Sequence, residues 1–308
     1  MTIDDMISGP DDGVHTRSSV LMRMKAGDRG PPLFFFPGSR GRLSELALLA
    51  AQIRSPVPIY GVEPRGVYPD ETPQERIEDM AEYALNEIKL AAQGGPYLLV
   101  GYSVGGLVAF ETACRLSSSG ASVPLLALLD TYPNELTWPI GCQLQVLAKH
   151  FVYRLKELRV IPRNEIKSYL RVRVRGVIGY LWRIIGLGLR TWQRSEALEQ
   201  DWRVHYATVA AASRYRPGYY GGKIRFFRPD EIGMQPGDPR RVWHKFAQGL
   251  EIYVVPGAHL SMVSQVETLA ALLSTCLETA IGDDPLPTDC GNSQSPGDQV
   301  TSPASIFQ

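Results

Sequence analysis

The stretch between residues 97 and 115 constrains this chain more than any other. A short apolar run, Tyr97 to Val100, leads into Gly-Tyr-Ser-Val-Gly, a match to G-x-S-x-G, and residues 107–115 continue with a helical pattern. A strand, a tight turn with serine at its apex and a helix form the context in which this pattern makes Ser103 a nucleophile. The glycines are needed on steric grounds, because side chains in their place would fill the space where strand and helix pass each other.

Apolar runs and amphipathic helical segments alternate on both sides of this turn. We expect strands at 20–24, 33–36, 58–62, 97–100, 123–129, 222–227 and 250–255, and helices at 43–53, 73–93, 107–115, 239–247 and 265–280. The helix at 73–93 has a capping-box pattern at its start, with Thr72 before Pro73 and Glu75 three residues after Thr72. Such alternation predicts a mostly parallel sheet covered by helices on both faces, with ligands bound at the carboxyl ends of the strands.

The alternation is interrupted once and fades at both ends of the chain. Between residue 131 and about residue 202 the sequence has helical segments but no convincing strand, which indicates an insertion. The polar segment 1–17 and the segment 283–308, rich in Pro, Ser, Gly and Asp, are expected to be disordered. Residues 18–282 are therefore expected to form one α/β domain with a helical insertion at about 131–202.

A serine hydroxyl needs a base to remove its proton and a carboxylate to orient that base. His259 follows the last predicted strand in the sequence Pro-Gly-Ala-His, late in the chain where the order Ser, acid, His requires the base. Asp130 ends the strand after the Ser103 helix, inside an apolar run where an unpartnered carboxylate would be costly. Asp230 follows the next predicted strand and is the alternative acid. We favour Asp130.

The negative charge that develops on a substrate oxygen needs two backbone donors. One is expected from the N–H of Val104, at the start of the helix, and the other from the loop that follows the strand at 33–36. Ser39 is the favoured second donor, with Gly38 and Arg40 as alternatives.

Composition narrows the range of partners. The formal net charge is zero, so the whole chain does not indicate nucleic-acid binding. Residues 154–194, however, contain eleven Lys or Arg and two Glu. A basic stripe of this kind on the apolar helix expected at 172–192 fits a solvated lid face, a docking surface for an acidic protein around Arg171, Arg173 and Arg175, or association with a membrane surface.

The four cysteines are scattered and form no C-x-x-C pair, and no His pair has the spacing of metal ligands. This pattern predicts reduced thiols in an intracellular protein, without a disulfide framework or a metal site. The first residues lack the apolar segment of a secretory signal, and the most apolar stretch of the insertion, 176–189, is too short to span a bilayer and contains Arg183. We therefore expect no transmembrane segment.

With these residues placed, the chain resembles the thioesterase family of polyketide and nonribosomal peptide synthetases over roughly residues 32–280. The resemblance rests on Leu33-Phe-Phe-Phe-Pro-Gly38, Gly101-Tyr-Ser-Val-Gly-Gly106, Leu128-Leu-Asp-Thr131, Tyr215-Arg-Pro-Gly-Tyr-Tyr-Gly-Gly222 and Val255-Pro-Gly-Ala-His259. The chain departs from the family at Phe36, where many members have His before the proline.

The resemblance implies an α/β-hydrolase fold whose lid follows the strand that carries the acid. It also implies that Ser103 attacks a thioester on the phosphopantetheine arm of an acyl or peptidyl carrier protein while His259 accepts the proton. The acyl-serine intermediate would then be opened by water or by an internal nucleophile. Synthetase-terminal members carry the acid at the position of Asp130, and many stand-alone editing members carry it near Asp230. No cofactor is implied, because a thioester is already activated, and a cytoplasmic location is expected.

Two other functions remain open at this stage. One is an esterase or acyl-CoA hydrolase without a carrier partner, which would act on free esters. The other is a catalytically inactive member of the fold that serves as a binding module. The presence of serine, acid and histidine in the expected order argues against the second.

Overall fold

The computed structural model describes residues 19–68, 70–160 and 200–283. The strands are β1 (Leu21–Lys25), β2 (Leu33–Phe36), β3 (Ile59–Val62), β4 (Leu98–Tyr102), β5 (Leu125–Leu129), β6 (Tyr220–Pro229) and β7 (Ala247–Val255). The helices are α1 (Ser44–Gln52), α2 (Ile77–Ala91), α3 (Val104–Ser118), α4 (Ile140–Val160), α5 (Gln200–Arg214), α6 (Arg240–Trp243) and α7 (Val266–Asp283). Short 3₁₀ turns lie at Glu135–Thr137 and Met262–Ser264.

The strands form one sheet in the order β1-β3-β2-β4-β5-β6-β7. Only β1 is antiparallel to its neighbour among these pairs; the others run parallel. The strand β4, which leads to Ser103, lies between β2 and β5 near the middle of the sheet. Parallel strands share one carboxyl edge, so the loops after β2, β4, β5 and β7 emerge on the same side.

Apolar side chains cover both faces of the sheet. Alternate residues of β2 point to opposite sides, so that Phe34 and Phe36 pack with α2 and α3, whereas Leu33 and Phe35 pack with α1 and α7. All four of these side chains are at most 2% exposed. Two apolar layers enclosing a parallel sheet account for the continuous hydrophobic runs of the central strands.

The helix α2 begins later than its capping-box pattern predicts. Residues 71–76 are not helical, and the first helical residue is Ile77, whose predecessor has an extended backbone and no side-chain cap. Glu75 instead forms an ion pair with Arg214 of α5, at 3.3 Å, and Pro73 packs against Gly66. These contacts with distant segments outweigh the local signal for an earlier start, so the predicted cap is wrong.

The insertion is described at its two ends. Residues 131–160 contain the turn Glu135–Thr137 and α4, and residues 200–214 form α5; neither part contains a strand. The helix predicted at 172–192 and the residues Arg171, Arg173 and Arg175 lie outside the described residues. Within the described ranges, none of the helices combines the length and apolar character needed to cross a membrane. The boundaries 1–17, 18–282 and 283–308 stay predictions.

Candidate active site

Three loops at the carboxyl edge of the sheet bring Ser103, Asp130 and His259 together. Ser103 follows β4, Asp130 follows β5, and His259 lies in the loop after β7. His259 Nε2 is 3.1 Å from Ser103 Oγ, and His259 Nδ1 is 2.7 Å from Asp130 Oδ2. This is a continuous chain from hydroxyl to imidazole to carboxylate, at distances that allow a proton to pass from Ser103 to His259.

The turn that carries Ser103 is strained in the way the motif predicts. Ser103 has a φ of +54°, a conformation that costs energy for a residue with a Cβ and that neighbouring packing must maintain. A Cβ on Gly105 would lie 2.1 Å from the Pro37 carbonyl oxygen, and one on Gly106 would lie 2.0 Å from Thr131 Oγ1. Only glycine fits at these two positions. The close approach lets the Thr131 hydroxyl donate to the Ser103 carbonyl at 3.0 Å.

Asp130 and Asp230 have different hydrogen-bond partners. Asp130 is 4% exposed and also has a positive φ, of +42°, and its N–H donates to Phe227 at 2.8 Å. Its carboxylate reaches His259. Asp230, by contrast, accepts a 2.8 Å hydrogen bond from the Gly257 N–H through Oδ1. The two aspartates therefore contact different parts of the His259 loop, Asp130 the imidazole and Asp230 the backbone N–H of Gly257.

Tyr102 contacts His259 through both its ring and its hydroxyl. Its ring stacks on the imidazole, with centroids 5.3 Å apart and planes 22° from parallel. Its hydroxyl donates to the His259 carbonyl at 2.9 Å. Burial raises the pKa of Tyr102, with smaller contributions from Glu45 and Asp130, so the phenol remains a donor. Because Asp130 accepts at Nδ1, that nitrogen carries the imidazole proton and Nε2 is left to accept from Ser103.

The loop after β2 lies beside the start of α3, as the expected oxyanion donors require. Val104 is the first residue of α3, and the contact of Gly105 with Pro37 joins the two segments. Ser39 follows in this loop, and its hydroxyl is 2.9 Å from Nδ1 of His205 on α5. Burial and the Arg40 guanidinium lower the pKa of His205. The roles of Val104 and Ser39 as oxyanion donors remain predictions.

Two pockets border α5. One is lined by residues 36–38, by Gly105 and by Thr208 of α5, and so lies beside the loop after β2 and the start of α3. The other is lined by residues from 132–138 and 209–213 together with Met234 and Gln235. Both ends of the insertion that the structure describes therefore contribute to pocket walls.

The sequence did not identify two of the contacting side chains. Tyr102 occupies the variable position of the G-x-S-x-G pattern, so its place next to the nucleophile could have been noticed, but its stacking on His259 could not. His205 lies in the insertion, 166 residues from Ser39, and no local signal connects the two.

The chain is similar to known proteins in both sequence and structure. The family described as "Thioesterase domain" matches residues 31–169. Indigoidine synthase of Dickeya dadantii (strain 3937) is 40% identical over 111 residues, which cover 36% of this chain and 8% of that protein. The chain spans less than a tenth of the length of the first curated relatives it matches.

Two solved structures share the architecture. The type II thioesterase BorB from the borrelidin biosynthetic cluster superposes with a TM-score of 0.58 at 19% identity, over 85% of this chain and 100% of that one. The NocB thioesterase domain, in covalent complex with a fluorophosphonate nocardicin G analog, superposes with a TM-score of 0.54 at 19% identity, over 81% of this chain and 95% of that one. The expected α/β-hydrolase fold with a mostly parallel sheet is confirmed.

Proposed function

We propose that this chain, whose residues 31–169 match the thioesterase domain family, releases acyl or peptidyl chains from the phosphopantetheine thioester of a carrier protein. The observation that carries the proposal is the hydrogen-bonded series Ser103, His259, Asp130 at the carboxyl edge of the sheet. Asp130 is the proposed acid, because its carboxylate is bonded to His259 Nδ1, whereas the Asp230 carboxylate is bonded to the Gly257 N–H.

In the proposed reaction, Ser103 Oγ attacks the thioester carbonyl carbon as His259 Nε2 takes the hydroxyl proton. Asp130 stabilises the imidazolium that results. The carbonyl oxygen, now negatively charged, accepts hydrogen bonds from the N–H of Val104 and from the loop at Ser39. The C–S bond then breaks, and the carrier thiolate takes the proton from His259.

The acyl-serine ester is opened in the second half-reaction. His259 Nε2 removes a proton from water, or from a nucleophile within the chain itself, and returns a proton to Ser103 Oγ as the ester breaks. Water gives a free acid, and an internal nucleophile gives a ring. A thioester is already activated, so we propose that no cofactor takes part. We also propose a cytoplasmic location.

The first experiment measures the intact mass of the protein after incubation with a fluorophosphonate. We expect one adduct on the parent protein and none on Ser103→Ala. Asp130→Asn is expected to react about 10⁴-fold more slowly, because the imidazole loses its orienting carboxylate. Asp230→Asn is expected to react at close to the parent rate. Strong slowing in Asp230→Asn alone would move the acid to the strand β6.

The second experiment compares substrates: the same acyl group on a carrier protein, on coenzyme A, on a small thiol and as a free ester. We expect the carrier-bound thioester to have the highest kcat/KM. Equal or faster turnover of the free ester or the coenzyme A thioester would identify an enzyme without a carrier partner. A folded protein that forms no adduct and hydrolyses none of the four would be a binding module.

A contact with the carrier through Arg171, Arg173 and Arg175 is a further part of the proposal. Reversing these three charges is expected to raise KM for the carrier-bound substrate and to leave KM for the small thioester unchanged. Equal effects on both substrates would rule out this docking surface.

A further inference from the structure

One turn of α5 contacts three consecutive residues of the loop that follows β2. His205 Nδ1 is 2.9 Å from Ser39 Oγ. The Arg40 guanidinium lies over the Trp202 ring, 5.1 Å from its centroid. These contacts join the insertion to the loop in which the second oxyanion donor is proposed.

The third contact is at Gly41. Its φ is +74°, and a Cβ built there would lie 3.3 Å from Val204 Cγ1 and 2.6 Å from Pro64 Cγ. The backbone of the loop therefore runs directly against α5. Val204 is buried and His205 is half-buried, so these two side chains of α5 are packed onto the loop.

On the other side, the same loop is packed against the Ser103 turn. A Cβ on Gly38 would lie 3.2 Å from the Tyr102 ring, and Gly105 contacts the Pro37 carbonyl. The loop is thus held between the nucleophile turn and α5, and a displacement of α5 would change the distance between the Ser39 and Val104 backbones.

We propose that His205 is a positioning residue. Its hydrogen bond to the Ser39 hydroxyl keeps the Ser39 backbone N–H where it can donate to the negatively charged oxygen that develops during the reaction. The inference rests on the proposed function, since it assigns a role within the same reaction. His205 touches no reacting atom and acts through Ser39. Misplacing a donor by a fraction of an ångström weakens stabilisation of the transition state more than binding of the substrate.

The Ser39–His205 bond does not require a charged ring. Burial and Arg40 both favour the neutral imidazole, and a neutral ring nitrogen forms one hydrogen bond with a hydroxyl in either tautomer. A side-chain amide can form the same bond. Asparagine places an amide close to the position of Nδ1, whereas phenylalanine keeps the ring shape and loses the bond.

The test measures two rates on the full chain: phosphonylation of Ser103 by a fluorophosphonate, and turnover of a small acyl thioester. His205→Phe and Ser39→Ala are each expected to lower kcat and the phosphonylation rate by about tenfold, with KM changed less than about twofold. His205→Asn is expected to recover most of the loss. The double variant is expected to be no slower than either single variant, because both remove the same bond.

The control is His244→Phe, which removes an exposed histidine directly after α6 and should leave both rates unchanged. Thermal unfolding establishes that each variant is folded. If His205→Phe does not fold, Ser39→Ala and His205→Asn carry the test. Parent-like rates in the folded single variants, effects that multiply in the double variant, or an asparagine variant as slow as phenylalanine would each overturn the positioning role.

The two rates separate this inference from the proposed function. A parent protein that is phosphonylated but hydrolyses no thioester would refute the proposed substrate. The phosphonylation rates would still compare His205 variants with parent protein, because the phosphonyl oxygen occupies the same oxyanion position as a thioester carbonyl.

Discussion

Tyr102 contacts both of the loops that complete the site around Ser103. Its ring lies between the His259 imidazole and Gly38, and its hydroxyl fixes the backbone carbonyl of His259. The residue before Ser103 in the serine turn thus holds the His259 ring and its backbone next to Ser103. An aromatic residue with a hydroxyl performs both tasks with one side chain.

Replacing Tyr102 with Phe tests the hydroxyl separately from the ring. The stack on His259 is retained and one hydrogen bond of about 1 kcal/mol is lost, so kcat/KM for a small thioester should fall about fivefold. Tyr219→Phe, which alters an exposed tyrosine, is the matched control. Parent-like activity in Tyr102→Phe would mean that stacking alone orients the imidazole.

For single residues, the sequence predicted which side chains form the candidate site but not which side chains contact them. Ser103, Asp130 and His259 follow from a local motif and from the order of residues at strand ends. The bond between Ser39 and His205 depends on how an inserted helix packs onto a loop 166 residues away, and no spacing rule describes that. The acid was ambiguous for the same reason, since both aspartates end neighbouring strands.

Among the elements, the junction of β4 and α3 is the most constrained. Gly106→Ala would place a methyl group 2.0 Å from Thr131 Oγ1, so either the helix or Thr131 must shift. We expect the free energy of unfolding to fall by about 1–3 kcal/mol, measured by urea denaturation. Gly218→Ala is the control, because a Cβ there has open space. Equal stability of the two variants would contradict the close packing described.

An ion pair between β6 and β7 makes the free energy of unfolding depend on pH. The Glu251 carboxylate on β7 accepts a 2.8 Å hydrogen bond from the Lys223 ammonium on β6 and lies 3.5 Å from the Arg225 guanidinium. These contacts lower the pKa of Glu251. A carboxyl whose pKa is lower in the folded state stabilises the protein above its unfolded pKa and loses that contribution as the pH falls through the folded value.

Glu251→Gln should therefore lose less stability than the parent protein between about pH 5 and pH 3. Thermal unfolding across that range measures the difference. The control is Glu278→Gln, at an exposed position of α7. If Glu251→Gln and the parent protein lose stability in parallel, the ion pair has no net effect in solution.

The limits of strands and helices were predictable where burial is complete. The strand β2 was predicted at residues 33–36 and found there, because four consecutive apolar residues with both faces covered leave no other assignment. The start of α2 was not predictable, because Glu75 is drawn to Arg214 and away from a local cap. Contacts between distant segments therefore determine where α2 begins.

For the molecule as a whole, the cysteines lie in both apolar layers, so their reactivity can show whether either layer opens. Cys114 and Cys142 lie in the layer of α2 and α3, and Cys276 lies in the opposite layer. Burial raises the pKa of Cys114 to about 12 and also raises the pKa of Cys276. Both effects keep the thiols in the protonated, unreactive form.

In a Cys290→Ser variant, we expect the three remaining thiols to react slowly with a disulfide reagent at pH 8 and fast in urea. The expected transition coincides with unfolding followed by circular dichroism, because both layers must open to expose all three. A thiol that reacts in the native protein at the rate of a free cysteine would identify a layer that opens by itself.

The two strands on either side of the insertion, β5 and β6, pair directly with each other, from Ala127 opposite Arg225 to Leu129 opposite Phe227. The insertion could therefore be longer, shorter or different in a related protein without any change in the hydrogen bonds of the sheet. The same freedom does not extend to residues 202–205, which contact the loop at 39–41. A chimera that takes its lid from a relative should accordingly take that relative's loop as well, since the two segments pack against each other.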